Sequence, residues 1–175
     1  MTNEPKIYYE YIFPIKDYFS ITKRNELFFE WGLSLFFAVI LYFFVYSNIE
    51  ITELKNAASL IVNCLAILVG FSITCLTILA SASEENILDL KKTMTERVLD
   101  NREISLYRLL VVNFIFLLIL ELLSLLCNFI FISISSLDIF KEFAALIYGA
   151  ITIFTFVIFL LNIRNITNFY FILSR

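Results

Sequence analysis

The chain contains no histidine, which removes the commonest general base, the usual metal ligand and the usual sensor of mildly acidic pH. Glycine and proline are scarce, and no glycine-rich loop of the Walker type occurs. The three cysteines, Cys64, Cys75 and Cys127, all fall inside apolar runs with no CxxC spacing, where they act as small hydrophobes rather than as disulfide or zinc ligands. No nucleophile with a base, no metal cluster and no phosphate cradle can be assembled from these residues. The expectation is a protein that is not an enzyme and carries no cofactor.

What is abundant is apolar. Hydrophobic residues make up 61% of the chain and the mean hydropathy is +0.88, against roughly 45–50% apolar content in soluble domains. With 175 residues there is room for one domain. A bilayer core about 30 Å thick asks for about 20 apolar residues per helix, and four segments qualify: 27–46, 57–82, 106–134 and 140–163. None alternates in polarity, so none reads as a strand of a membrane barrel. The expected fold is all-α, a polytopic bundle of four transmembrane helices over residues 27–175, preceded by an arm over residues 1–26. The first long apolar run begins only near Leu27, so no cleavable leader is expected. Few Gly and Pro beside many Ile, Phe, Asn and Lys resembles proteins encoded by AT-rich bacterial genes, which makes a bacterial inner membrane the expected location.

Charge sets the orientation. Of the 13 Lys and Arg residues, all but Lys55 and Lys141 lie in the N-terminal arm, between the second and third spans, or at the C-terminal end. Cytoplasmic loops hold the positive residues, so both termini and the central loop are expected inside. The arm carries Tyr8, Tyr9, Tyr11, Phe13, Tyr18 and Phe19 among mixed charges, a composition that suits either the headgroup level or a partner-docking arm. In the central segment, 83–105, Ile87, Leu90, Met94 and Val98 recur at helical spacing among charged residues. Ser81 and Glu84 have the spacing of a capping box, and Leu99-Asp100-Asn101 is the expected turn. A short cytoplasmic helical hairpin is predicted here, with Ile87, Leu90, Lys91, Lys92, Met94, Arg97 and Val98 as its candidate partner-docking residues.

Polar residues inside the spans each need a reason, because lipid offers them no partner. On the second span, Ser59, Asn63, Ala66, Gly70, Thr74, Thr77 and Ser81 recur at three- and four-residue steps, which places them on one face. Such a face suits close helix packing within or between subunits, or a water-lined path. The third span carries Asn113, Glu121, Ser124 and Asn128, of which the last three share a face. Glu121 lies near mid-membrane, where a charged acid costs at least about 2.5–3.5 kcal/mol, and no Lys or Arg occurs at that depth. It is expected either as a neutral acid bonded to Asn or Thr of a neighbouring helix, or as a proton or cation site. Glu30 reads as an interfacial residue paired with Lys23 or Arg24. On the fourth span, Ala145, Gly149 and Thr152 read as a small-residue face, and Asn162 and Arg164 as its cytoplasmic end.

Three functions fit these residues. A sensor or scaffold would oligomerise and dock a soluble cytoplasmic protein, since nearly all extramembrane mass faces the cytoplasm. An ion-conducting or membrane-permeabilising pore would assemble around the second-span stripe. A small proton-coupled transporter would use Glu121, although the long arm and the central hairpin depart from small multidrug exporters. The stretch Gly70-Phe71-Ser72-Ile73, continuing through Leu76-Thr77-Ile78-Leu79 to Glu85-Asn86-Ile87 and Leu90-Lys91, resembles the end of the second span in small four-helix membrane proteins of phage-defence operons. In size, span count and charge sidedness the chain is similar to the membrane subunits of the Kiwa anti-phage defence system. That resemblance implies a homo-tetramer in the inner membrane that responds to phage attack together with a soluble DNA-binding subunit. The expected partners are therefore lipid, further copies of the chain and a soluble protein, with no direct contact to nucleic acid.

The orientation is testable. Alkaline phosphatase fused between Glu50 and Lys55 is expected to be active, and fused between Leu88 and Thr95 inactive; the reverse pattern would invert the topology.

Overall fold

A computed structural model describes residues 13–46, 48–81, 84–99, 102–135, 137, 140 and 142–173; the side chains of 84–87 and 170–173 lie outside the described set. Tyr8, Tyr9 and Tyr11 of the arm, Asp100 and Asn101 of the expected turn, and Lys141 also lie outside it.

The described chain opens with α1 (Phe13–Ile21), where Pro14 sits in the first turn, a position at which its missing N–H costs nothing. Next come α2 (Arg24–Leu41), which continues into one π-helical turn at Tyr42–Tyr46, and α3 (Ile51–Ser81). A short α4 (Glu84–Lys92) leads into strands β1 (Met94–Leu99) and β2 (Arg102–Ser105). The long helices α5 (Leu106–Ile134) and α6 (Ala144–Leu173) complete it. Four helices are long and apolar enough to cross a membrane: Arg24–Tyr46, Ile51–Ser81, Leu106–Ile134 and Ala144–Phe169. The four expected spans are thus present, the third with the expected bounds and the others with shifted ends. The second begins six residues earlier than Ala57, taking Glu53 and Lys55 into its first turns, and the fourth continues past Ile163 through Arg164 and Asn165.

The bundle is built on one periodicity. The buried positions of α3 (Leu54, Ala58, Leu65, Ser72, Cys75, Leu79) recur at three- and four-residue steps or their sums. On α5 one buried row (Leu110, Asn113, Leu117, Glu121, Ser124, Asn128, Phe131) advances by steps of three or four, and on α6 the row Tyr148, Ile151, Thr155, Ile158, Asn162 and Asn165 alternates the two. Alternating three- and four-residue steps are the seam of a left-handed helix pair. α5 packs along both α3 and α6, and α2 packs along α6. The outer faces are left to lipid: Phe28, Phe29, Phe36, Phe43 and Phe44 of the first span are all more than half exposed in the single chain. Gly149 is where α6 comes close to the π-helical turn; a Cβ there would meet Tyr42 Cδ2 at 3.5 Å.

One expectation is corrected. The mostly helical, four-span membrane fold is as expected, but the second half of the predicted helical hairpin is an antiparallel β-hairpin, in which Val98 pairs with Glu103 and Leu99 with Arg102. Met94 and Val98 satisfy a helical period, yet the run Thr93 to Leu99 has β-branched residues at Thr93, Thr95 and Val98 and alternates outward and inward with period two. The Thr95 hydroxyl donates to Ile104 O at 2.8 Å and fastens the pair. Ser81 is no cap either: its hydroxyl donates back to Thr77 O at 2.7 Å.

The described end of the arm packs as α1 against α5. Tyr18 is fully buried and stacks on Phe116, with ring centroids 3.6 Å apart and planes within 10°.

Candidate functional site

Polar groups gather in two places, both on the α5–α6 seam or at its end, and the first is an ion-pair cluster where α1, α2, β1 and α6 meet. Arg164 Nη1 lies 2.6 Å from Glu30 Oε1 and 3.8 Å from Glu26 Oε2. The Tyr18 hydroxyl donates to Glu30 Oε2 at 2.6 Å, and the Arg164 guanidinium sits over the Tyr18 ring at 5.6 Å. Arg97 of β1 donates through Nη2 to Glu26 Oε1 at 2.6 Å and through Nη1 to Ile21 O at 3.0 Å. That last bond places a cation on the carbonyl end of α1, where the helix dipole favours it. Burial holds the Tyr18 phenol well above its ordinary range; Arg164 opposes this and the bond to Glu30 reinforces it. Tyr18 is thus a fixed donor.

This cluster shows that the start of the first span, the segment between the second and third, and the end of the fourth share one end of the bundle, called here the hairpin end. It also changes three assignments. Glu30 pairs with neither Lys23 nor Arg24; it is 3% exposed and its cation is Arg164. Lys23 instead lies 3.6 Å from Glu96. Arg97, counted among the docking residues, faces inward and latches the β-hairpin to α1 and α2. Sequence spacing had no means of joining residues so far apart along the chain.

The second place is the seam itself. Glu121, fully buried, accepts from Asn162 Nδ2 at 3.0 Å and from Ser72 Oγ at 3.1 Å, both at Oε1. The expected neighbour-helix amide is thus present, but it is Asn162, which the sequence reading placed at a helix end. Asn162 sits at the level of Glu121 because α6 runs on beyond it. Among the described residues no Lys or Arg pairs with Glu121. Ser124 and Asn128 lie on the same face, buried, and Asn128 Nδ2 donates to Ser124 O at 2.8 Å. Asn113, also buried, falls on this seam two turns from Glu121 toward the hairpin end.

The stripe on the second span does not contribute to this seam. Ser59, Asn63, Ala66, Gly70, Thr74, Thr77 and Ser81 are all exposed on the face of α3 turned away from the bundle. A Cβ on Gly70 would meet nothing within 4 Å. The Thr74 and Thr77 hydroxyls are turned onto Gly70 O and Ile73 O, at 2.8 and 2.9 Å.

Of the remaining docking candidates, Leu90 is half-buried and Lys91 sits 5.4 Å from the centre of the Tyr107 ring. Lys92 is exposed, and the Ile87 side chain lies outside the described residues. Met94 and Val98 face outward at 55% and 51% exposure, and Leu88 of α4, which the sequence reading passed over, adds a third exposed apolar side chain at 44%. Cys64, Cys75 and Cys127 are free thiols. No family model, characterised protein or solved structure matches the chain significantly.

The hydrogen bonds at Glu121 make a graded prediction. Glu121→Gln keeps an acceptor for Asn162 and Ser72 and is expected to melt within about 1 kcal/mol of the wild type. Glu121→Leu leaves the buried Ser72 hydroxyl without its acceptor and the Asn162 amide with Ile158 O alone, which costs about 1–3 kcal/mol for an unpaired donor, and is expected to melt clearly lower in detergent. Equal melting of the two variants would show that these bonds carry no stability.

Proposed function

We propose that the chain is an oligomeric inner-membrane sensor or scaffold whose hairpin end faces the cytoplasm and docks a soluble effector protein. A role in anti-phage defence follows from the resemblance to the Kiwa membrane subunits. The observation that carries the docking reading is the outward apolar row of Leu88, Met94 and Val98 on a cap that is itself fastened to the spans. A loose hairpin would bury such residues on itself, whereas a clamped one keeps them presented. Charge around the row is mixed, with Lys92 and Glu96 exposed beside it, which suits a protein surface with an apolar centre and a polar rim.

The oligomer rests on a separate observation. Asn63 faces outward on the middle turns of α3, beside Ser59 and Gly70, and lipid gives an amide no partner. A neighbouring copy packed on that face supplies one, and small residues around it let the helices approach. The same outward face is where a pore would form, but Thr74 and Thr77 spend their hydroxyls on their own backbone, which leaves little to line it.

Two measurements check this reading. The triple variant Leu88→Ser, Met94→Ser, Val98→Ser, purified in detergent from its host, is expected to lose a soluble protein that co-purifies stoichiometrically with the wild type, while light scattering gives an unchanged oligomer. Retention of the partner would remove the hairpin from the docking surface. Asn63→Leu is expected to shift the oligomer toward monomer, since a polar contact between membrane helices contributes about 0.6–2 kcal/mol; an unchanged mass would take Asn63 out of the interface.

A further inference from the structure

The seam between α5 and α6 holds more polar atoms than it satisfies, and they are arranged in order. At the hairpin end a cavity of about 20 Å³ is lined by Asn113, Asn168 and Arg164 among others, a size that admits a water molecule. One turn inward on α6 is Asn165, 1% exposed, with both amide atoms unpartnered. One turn further is Asn162, whose Nδ2 serves Glu121 and whose Oδ1 has no partner. Glu121 Oε2 has none either, nor have Asn113 Oδ1 and Arg164 Nε and Nη2 on the cavity side. Asn162, Asn165 and Asn168 follow at three-residue steps, which separates the cavity from Glu121 by about 9 Å of helix rise, the length of a file of two or three waters.

A buried amide without partners costs about 1–3 kcal/mol, and a dry apolar seam would be the more stable alternative at each of these positions. On the other side of Glu121 the atoms Ser124 Oγ, Asn128 Oδ1 and Tyr148 Oη are also unpartnered, but the cavity does not reach them. Beyond Ser124 and Asn128 the Phe131 and Tyr148 rings, 5.0 Å apart and each 1% exposed, close that end of the seam. We infer that the amide column is a hydrated well open at the hairpin end, and that Glu121 at its floor is a proton-binding site in exchange with the medium on that side. The ligand is the hydrated proton, delivered through Asn113, Asn165 and Asn162 and stopped by the ring pair, so the site stores a proton and passes none across. The titratable and charged groups facing it among the described residues are Glu26 on α2, Arg97 on β1 and Arg164 on α6, which line the cavity, with Glu30 on α2 and Tyr18 on α1 bound behind Arg164. None of these bonds to Glu121, so its carboxyl takes its charge state from the column.

Infrared spectroscopy of the full chain in lipid nanodiscs tests this independently of any docking partner. The wild type is expected to show a protonated-carboxyl stretch that is lost in Glu121→Gln, moved rather than lost in Glu121→Asp, and shifted when the sample is transferred to D2O. Asn165→Leu, which fills the column with an apolar side chain, is expected to keep the band and lose its deuterium shift. A wild-type band indifferent to D2O, the absence of any band assigned by the Glu121 variants, or an unaltered shift in Asn165→Leu would each overturn the well.

Discussion

The 2.6 Å pair between Arg164 and Glu30 is the contact on which the arrangement of this molecule depends. It joins the end of the last span to the start of the first, and α1 and the β-hairpin are tied to it. Tyr18 brings α1 to Glu30, Glu26 reaches toward the same Arg164, and Arg97 ties the β-hairpin to Glu26. Glu30 is nearly inaccessible, so the pair is desolvated; removing one partner of such a pair typically costs about 3–5 kcal/mol, because the other charge is left buried and alone. The pair contributes position more than net stability, since an apolar pair of the same shape would pack as well. What it secures is that the cap sits in one place.

Below that clamp, the physics of the bundle is the physics of polar groups without water. The three-four periodicity brings α3, α5 and α6 together along apolar stripes, and polar residues occupy particular buried positions: Asn113, Glu121, Ser124 and Asn128 on α5, and Thr155, Asn162 and Asn165 on α6. Each could have been leucine. Their placement in register, with amides leading from the charged end to an acid, separates this interior from a purely structural packing seam. The outward side of α3 carries the complementary feature, a small and polar face that the chain does not cover. Clamp, interior acid and uncovered face are three separate devices on one scaffold, and a membrane sensor that gathers copies of itself and presents a docking surface would use all three.

The spans were legible because runs of about 20 apolar residues have few other outcomes. Glu121 was legible as a polar group in need of a neighbour, since its depth alone poses that question. Its actual partner was not, because Arg164 two residues after Asn162 reads as the end of a span; only the pairing of Arg164 with Glu30 lets the helix continue inside the protein. The hairpin was misread for a local reason: Ile87, Leu90, Met94 and Val98 fit a helix, and only the β-branched Thr93, Thr95 and Val98 argued otherwise. The second-span stripe was seen but not its direction. The buried stripe of α3, from Leu54 to Leu79, is mostly leucine and alanine and has the same three-four step, so sequence periodicity identified both faces without saying which one faces inward.

Hydrogen–deuterium exchange on the purified full chain, comparing the wild type with Arg164→Gln, tests the clamp most directly. Faster exchange confined to α1 and the β1–β2 hairpin, with the mid-span amides of α3 and α5 still protected, is the result this account predicts. Unchanged protection of the hairpin in Arg164→Gln would show that the cap is held by something else, and would contradict it.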